Sequence, residues 1–125
     1  MLRRVFDVNV IAPLALVHEL ASALAPGATI VNITSDAGVE AYPTWGPYGA
    51  SKAALEHASS ILAVEHPEWR VLVVDPGDMR TEMHQDAFPG DDISDRPLPD
   101  VSAAGLARLI ATDRPSGRYH AQEVA

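Results

Sequence analysis

Apolar positions recur at two different spacings along the chain, and the two alternate. Phe6, Val10, Leu14, Val17, Leu20, Ala21 and Leu24 follow the repeat of one helix face and predict a helix from about Arg3 to Ala25. Pro26-Gly27 ends it as a turn. Ala28-Thr29-Ile30-Val31-Asn32-Ile33-Thr34 is short, β-branched and bounded by turn residues, which predicts a buried strand. Gly38 to Pro47 holds glycine, proline and the aromatics Tyr42 and Trp45, a structured loop at the mouth of a site. A second helix is predicted from about Pro47 to Glu65, because proline is tolerated in a first helical turn and Pro67 marks the exit. Arg70-Val71-Leu72-Val73-Val74-Asp75 repeats the buried-strand signature. Pro76-Gly77 breaks the chain, and Asp78 to Asp100 is acidic and proline-rich, with Phe88, Ile93 and Leu98 as isolated apolar residues. A loop that long inside a domain is functional or disordered, and residues 82–100 read as a mobile substrate lid. Val101 to Thr112 predicts a short helix capped by Asp100 or Ser102, and Arg118-Tyr119-His120-Ala121 a final edge strand.

Helices of this length between strands imply parallel crossovers, hence an open α/β sheet of about three strands with flanking helices. The chain reads as a single domain over residues 1–125. In such sheets a ligand lies beyond the carboxyl ends of the strands. Ser35 follows the first strand, Pro76-Gly77 follows the second, and Tyr48 and Lys52 open the helix between them. All four features are therefore expected on one rim.

Composition narrows the function classes. Apolar residues make up 47% of 125, enough for an ordinary core, and the absence of cysteine excludes disulfides and thiolate metal sites. Nine basic against seventeen acidic residues give a net charge of −8, which repels phosphate backbones and argues against nucleic acid. No apolar run reaches the roughly 18 residues of a spanning helix. Arg3-Arg4, the stretch Val10 to Val17 and Ala21-Ser22-Ala23 have the order of a signal peptide, but Asp7, Asn9, Pro13, His18 and Glu19 interrupt it. The expectation is a soluble, cytoplasmic acidic domain with no membrane partner. His18, His57, His66, His84 and His120 have no ligand spacing with a carboxylate, so no metal is expected. Asn32-Ile33-Thr34 fits a glycosylation sequon but lies in a strand predicted to be buried, so it reads as chance.

The chemistry concentrates at three residues. Tyr48 and Lys52 are four positions apart and share one helix face. An ammonium there is expected to favour the phenolate and lower the tyrosine pKa from its usual value of about 10. A Ser35 hydroxyl can donate to the same substrate oxygen that the phenol protonates, which makes a proton-transfer site for a carbonyl or an alcohol. Pro13, four positions after Asn9, has no N–H to close a helical bond to the Asn9 carbonyl. That carbonyl needs another partner, most simply a water.

Ser35, Tyr48 and Lys52, joined to Asn9 and Pro76-Gly77, resemble the short-chain dehydrogenase/reductase family. Phe6-Asp7-Val8-Asn9-Val10, Ile30-Val31-Asn32-Ile33-Thr34-Ser35 and Tyr48-Gly49-Ala50-Ser51-Lys52-Ala53-Ala54-Leu55 are similar to its patterns almost residue by residue. The resemblance implies a partial Rossmann-like, doubly wound sheet and an NAD- or NADP-dependent oxidoreductase interconverting a carbonyl and a secondary alcohol. It implies that Tyr48 is the general acid/base, that Lys52 lowers its pKa and bonds the nicotinamide ribose, and that Ser35 orients the substrate. Asn9 would hold a water that extends the proton relay, and Pro76, Gly77, Met79 and Thr81 would line the nicotinamide side together with Tyr48 and Lys52. A full family member begins with a strand and a glycine-rich turn, whereas all eight glycines here lie at or after position 27. The chain is thus expected to match the carboxyl half, without the adenine and pyrophosphate site. The other reading is a shortened relative that serves as a binding or assembly subunit, or uses the Tyr48 acid without redox chemistry. Both long helices pack against a second subunit in this family, so a homo-oligomer is expected, as is an exposed edge on the first strand.

Overall fold

The computed structural model of the chain describes residues 1–124. Its amino-terminal helix is regular except in the turn before Pro13. α1 (Leu2–Phe6) runs into a π-helical turn at Asp7–Ile11, then into α2 (Ala12–Leu20) and a 3-10 turn at Ala21–Ala23. Pro13 cannot donate to the Asn9 carbonyl, and its ring crowds that carbonyl. The backbone widens in response, and the Ala12 N–H reaches back to the Asp7 carbonyl. Val5, Phe6, Asn9, Val10, Pro13, Leu14 and Val17 are half-buried, whereas Leu2, Val8, Ile11, Leu16 and Leu20 are exposed. The continuous helical stretch Leu2–Ala23 is long and apolar enough to cross a membrane. This corrects the expectation of no apolar run of spanning length: Asp7, Asn9, His18 and Glu19 interrupt the run, but the composition of the whole helix stays apolar.

β1 (Thr29–Ile33), β2 (Arg70–Asp75) and β3 (Gly117–His120) form a parallel sheet in the order β1-β2-β3. Ile33 pairs with Val74 and Asp75 with His120, so the three carboxyl ends share one rim. Among the described residues β1 is an edge strand, as expected. Val71, Leu72, Val73, Val74 and Asp75 of the central strand are all buried, which both faces of a covered parallel strand require. α3 (Gly46–Glu65) covers one face through Ser51, Leu55 and Ser59. There Asn32 Nδ2 donates to Ser59 Oγ at 2.9 Å, so the sequon asparagine is spent inside the domain.

α4 (Glu82–Ala87) is a short helix in the segment expected to be loop, and α5 (Pro99–Ala111) covers the second face. Leu109 of α5 joins Leu72, Val74, Ala121 and Val124 in the core. α5 begins at Pro99, with Leu98 in the capping position, so neither Asp100 nor Ser102 caps it. Its last carbonyls are taken by Arg70, whose Nη atoms donate to Leu109 O at 2.9 Å and Ile110 O at 2.7 Å, and also to Thr112 O. The segment expected to form a lid, residues 82–100, is tied down at several points. Arg80 N donates to Pro97 O at 2.8 Å, Arg96 lies 3.6 Å from Asp78, and Ile93 is buried rather than isolated.

Candidate active site

The turn after β1 is held by its own polar groups. Ser35 Oγ accepts the Ala37 N–H at 3.1 Å and donates to Asp36 Oδ1 at 3.2 Å. The Tyr42 hydroxyl donates to Asp36 Oδ2 at 2.7 Å, so both carboxylate oxygens are engaged. From the far edge of the sheet, Arg118 Nη2 donates to the Ser35 carbonyl at 3.2 Å and lies 3.6 Å from Asp75, while its Nε pairs with Glu56 of α3. One guanidinium, carried by β3, thereby ties the ends of β1 and β2 to the covering helix.

α3 enters this rim at close quarters. A Cβ on Gly49 would lie 2.8 Å from the Ala37 carbonyl, so the missing side chain is what lets the helix seat against the Ser35 turn. Tyr48 is half-buried, with Trp45 edge-on at 5.8 Å between ring centroids. Lys52 Nζ donates to the Ile33 carbonyl at 2.9 Å and stands 5.8 Å from the centre of the Tyr48 ring. Asn9 joins from α1–α2: its Nδ2 donates to Ser51 Oγ at 3.1 Å, and Ser51 donates to the Tyr48 carbonyl at 2.7 Å. The fold brings Asn9, Ser35, Tyr48 and Lys52 to one rim.

The electrostatics differ from the expectation. Burial pushes the Tyr48 pKa above its usual value, the Asp36 and Asp75 carboxylates push it the same way, and the Ser35 hydroxyl pulls it down. The pull of Ser35 is second only to burial and larger than the push of either carboxylate. Burial lowers the Lys52 pKa. Lys52 gives one N–H to the Ile33 carbonyl, and the burial of Tyr48 outweighs the pull expected of its ammonium.

Pro76, Gly77, Met79 and Thr81 follow β2 along the same rim, all half-buried. Gly77 has φ +76, a left-handed conformation that glycine adopts without strain. Thr81 caps α4, its Oγ1 accepting the His84 N–H at 3.1 Å; the hydroxyl proton remains for another acceptor. Phe88, just past α4, packs against Trp45 at 5.8 Å and His84 at 4.8 Å, which links the segment after α4 to the ring beside Tyr48. Sequence reasoning did not single out Asp36, Glu56, Asp75, Arg118 or Gln122. An acid directly after Ser35 was a signal open to reading. Arg118 lies 83 positions from Ser35 and carries no local motif, so only the sheet order reveals it.

Comparison with known proteins agrees with this geometry. The short chain dehydrogenase profile matches residues 1–92. The short-chain dehydrogenase RED1 of Pyricularia oryzae is 39% identical over 112 residues, covering 86% of this chain and 38% of that protein. Sepiapterin reductase of Rattus norvegicus is 44% identical over 57 residues, covering 46% of this chain and 22% of that protein. A short chain dehydrogenase of Shigella flexneri complexed with NADP superposes with a TM-score of 0.88 at 30% identity, over 97% of this chain and 53% of that one. One of Escherichia coli complexed with NADPH gives 0.87 at 32% identity, over 97% and 53%. The chain therefore spans about half the length of those structures, and 38% of the longest-matching curated relative named here. Since the matched profile runs through Asn9, Ser35, Tyr48, Lys52 and the turn at Pro76-Gly77, this chain belongs to the short-chain dehydrogenase family.

Proposed function

We propose that this chain carries the catalytic part of a nicotinamide-dependent oxidoreductase that interconverts a small carbonyl compound and a secondary alcohol in the cytoplasm. The observation that carries the reading is the meeting of Ser35, Tyr48 and Lys52 at the carboxyl rim of the sheet. Relatives named as dehydrogenases and as a reductase, and similar structures complexed with NADP and NADPH, support it.

The residues present fit a nicotinamide riboside. Lys52 spends one N–H on Ile33, and its ammonium has two more for a ribose diol. The Thr81 hydroxyl proton and the backbone of Pro76, Gly77 and Met79 line the adjoining side. When bound, such a cofactor supplies or accepts the hydride at the substrate carbon. Tyr48 gives its proton to the substrate oxygen in reduction and takes it back in oxidation. Burial and two nearby carboxylates keep that proton on the phenol, so the free site is poised as a donor. The Ser35 hydroxyl turns from Asp36 to the substrate oxygen and shares its developing charge. Asn9, bonded to Ser51, holds α1–α2 against the Tyr48 turn, where the carbonyl freed by Pro13 can keep a water for proton resupply. A second copy of the chain, packed on α1–α2 and α3, completes the assembly.

Tyr48→Phe tests the assignment. Turnover of a carbonyl substrate is expected to fall about 10³-fold while the dissociation constant for NADPH stays within about twofold. Retention of more than about a tenth of the wild-type kcat contradicts the role of Tyr48.

A further inference from the structure

The Pro76-Gly77 turn is gripped from the far end of the chain. Gln122 Nε2 lies 3.1 Å from the Pro76 carbonyl, 2.9 Å from the Asp78 carbonyl and 3.3 Å from Ser102 Oγ. A side-chain amide has two protons, so Gln122 serves the Pro76 and Asp78 carbonyls. Ser102, buried on α5, donates its own hydroxyl to the Pro76 carbonyl at 2.6 Å. Asp75 Oδ1 accepts the Gly77 N–H at 2.9 Å and closes the turn from the strand side.

The surrounding backbone is built to allow this. A Cβ on Gly77 would lie 2.6 Å from Gln122 Nε2, so the glycine also leaves room for the amide. At Gly105 a Cβ would lie 1.7 Å from the Ala121 carbonyl. The bare helix backbone of α5 therefore meets the 3-10 turn Ala121–Glu123 directly, which seats Gln122 beside the turn after β2. Residues 76–79 belong to neither helix nor strand, so no ladder orders their carbonyls.

We propose that Gln122, helped by Ser102, is a positioning residue that fixes the Pro76–Asp78 backbone in the shape that receives the nicotinamide. The grip on the turn is a property of the free protein; its purpose rests on the proposed function. Gln122→Leu and Gln122→Glu both remove the two donors, and the second keeps the side-chain shape. Amide hydrogen exchange followed by NMR at Gly77, with Val73 as the internal control, reads the turn without any cofactor. Exchange at Gly77 is expected to speed up about tenfold in both variants while Val73 is unchanged. Titration with NADPH is expected to show about tenfold weaker binding, with kcat changed less than about twofold. Ser102→Ala should give a smaller effect of the same sign.

Gly77 exchange at the wild-type rate in either variant overturns the positioning role, whatever the cofactor does. Faster exchange with unchanged NADPH affinity leaves the grip standing and overturns its purpose. A wild-type chain that binds neither NADH nor NADPH overturns both the purpose and the proposed function, while the exchange data still decide whether Gln122 holds the turn.

Discussion

Opposing influences meet at the Tyr48 phenol. Burial, Asp36 and Asp75 raise its pKa and Ser35 lowers it, with burial the largest effect. The native state thus holds the phenolic proton more tightly than the unfolded chain. The resulting stabilisation is fully present below the unfolded value of about 10 and is lost as pH rises through the higher native value. Lys52 has the opposite sign, its lowered pKa favouring the native state above the unfolded value and losing that advantage as pH falls. Phenolate absorbance, taken as a difference between wild type and Tyr48→Phe, should titrate with a midpoint above about 10. The difference isolates it from Tyr42, which its hydrogen bond to Asp36 pushes up to about 12. Ser35→Ala should move the Tyr48 midpoint higher still, and an unchanged or lower midpoint contradicts the account of this site. Spacing, together with the family resemblance, singled out Ser35, Tyr48, Lys52 and Asn9. It misjudged the direction of the Tyr48 shift, because that depends on burial depth and on two carboxylates that only folding brings near.

At the scale of elements, close backbone approaches set the geometry. Gly105 lets α5 meet the Ala121 carbonyl, and a methyl group there has nowhere to go. Gly105→Ala is expected to lower stability by about 3 kcal/mol in urea unfolding, although alanine is the better helix former. A loss of less than about 0.5 kcal/mol would mean that the two elements do not touch as described. The alternation of helix-period and strand-period runs was enough to find β1, β2, β3, α3 and α5. Pro13 also announced an irregularity in the first helix, which takes the form of a π-helical turn. The start of α5 and the existence of α4 escaped notice for a physical reason. Ser102 resembles a cap but bonds the Pro76 carbonyl, and α4 lies in an acidic segment where Thr81 supplies the cap. Ile93 looked isolated along the chain and finds its burial only in the tertiary fold.

For the whole molecule, the parallel architecture and the shared rim were legible, since strands separated by helices admit few arrangements. The ties from Arg118 and Gln122 were not, as neither residue belongs to a local motif and both act across the sheet. The surface carries a further consequence. Val8, Ile11, Leu16 and Leu20 are exposed on the first helix, Ile61 and Val64 on α3, and β1 is an edge strand among the described residues. Surfaces of this kind associate. Sedimentation at micromolar concentration should show a dimer or larger species, and Ile11→Lys with Leu16→Lys should shift it toward monomer. A wild-type chain that sediments as a clean monomer contradicts that packing.

Whether the rim formed by Lys52, Tyr48 and the Pro76-Gly77 turn accepts a nicotinamide cofactor is read by titrating the purified chain with NADH and NADPH. Saturable binding of at least one of them is expected below about 1 mM, and Lys52→Ala, without the proposed ribose donors, is expected to abolish it. The contradicting result is no binding of either cofactor by the wild-type chain at several millimolar.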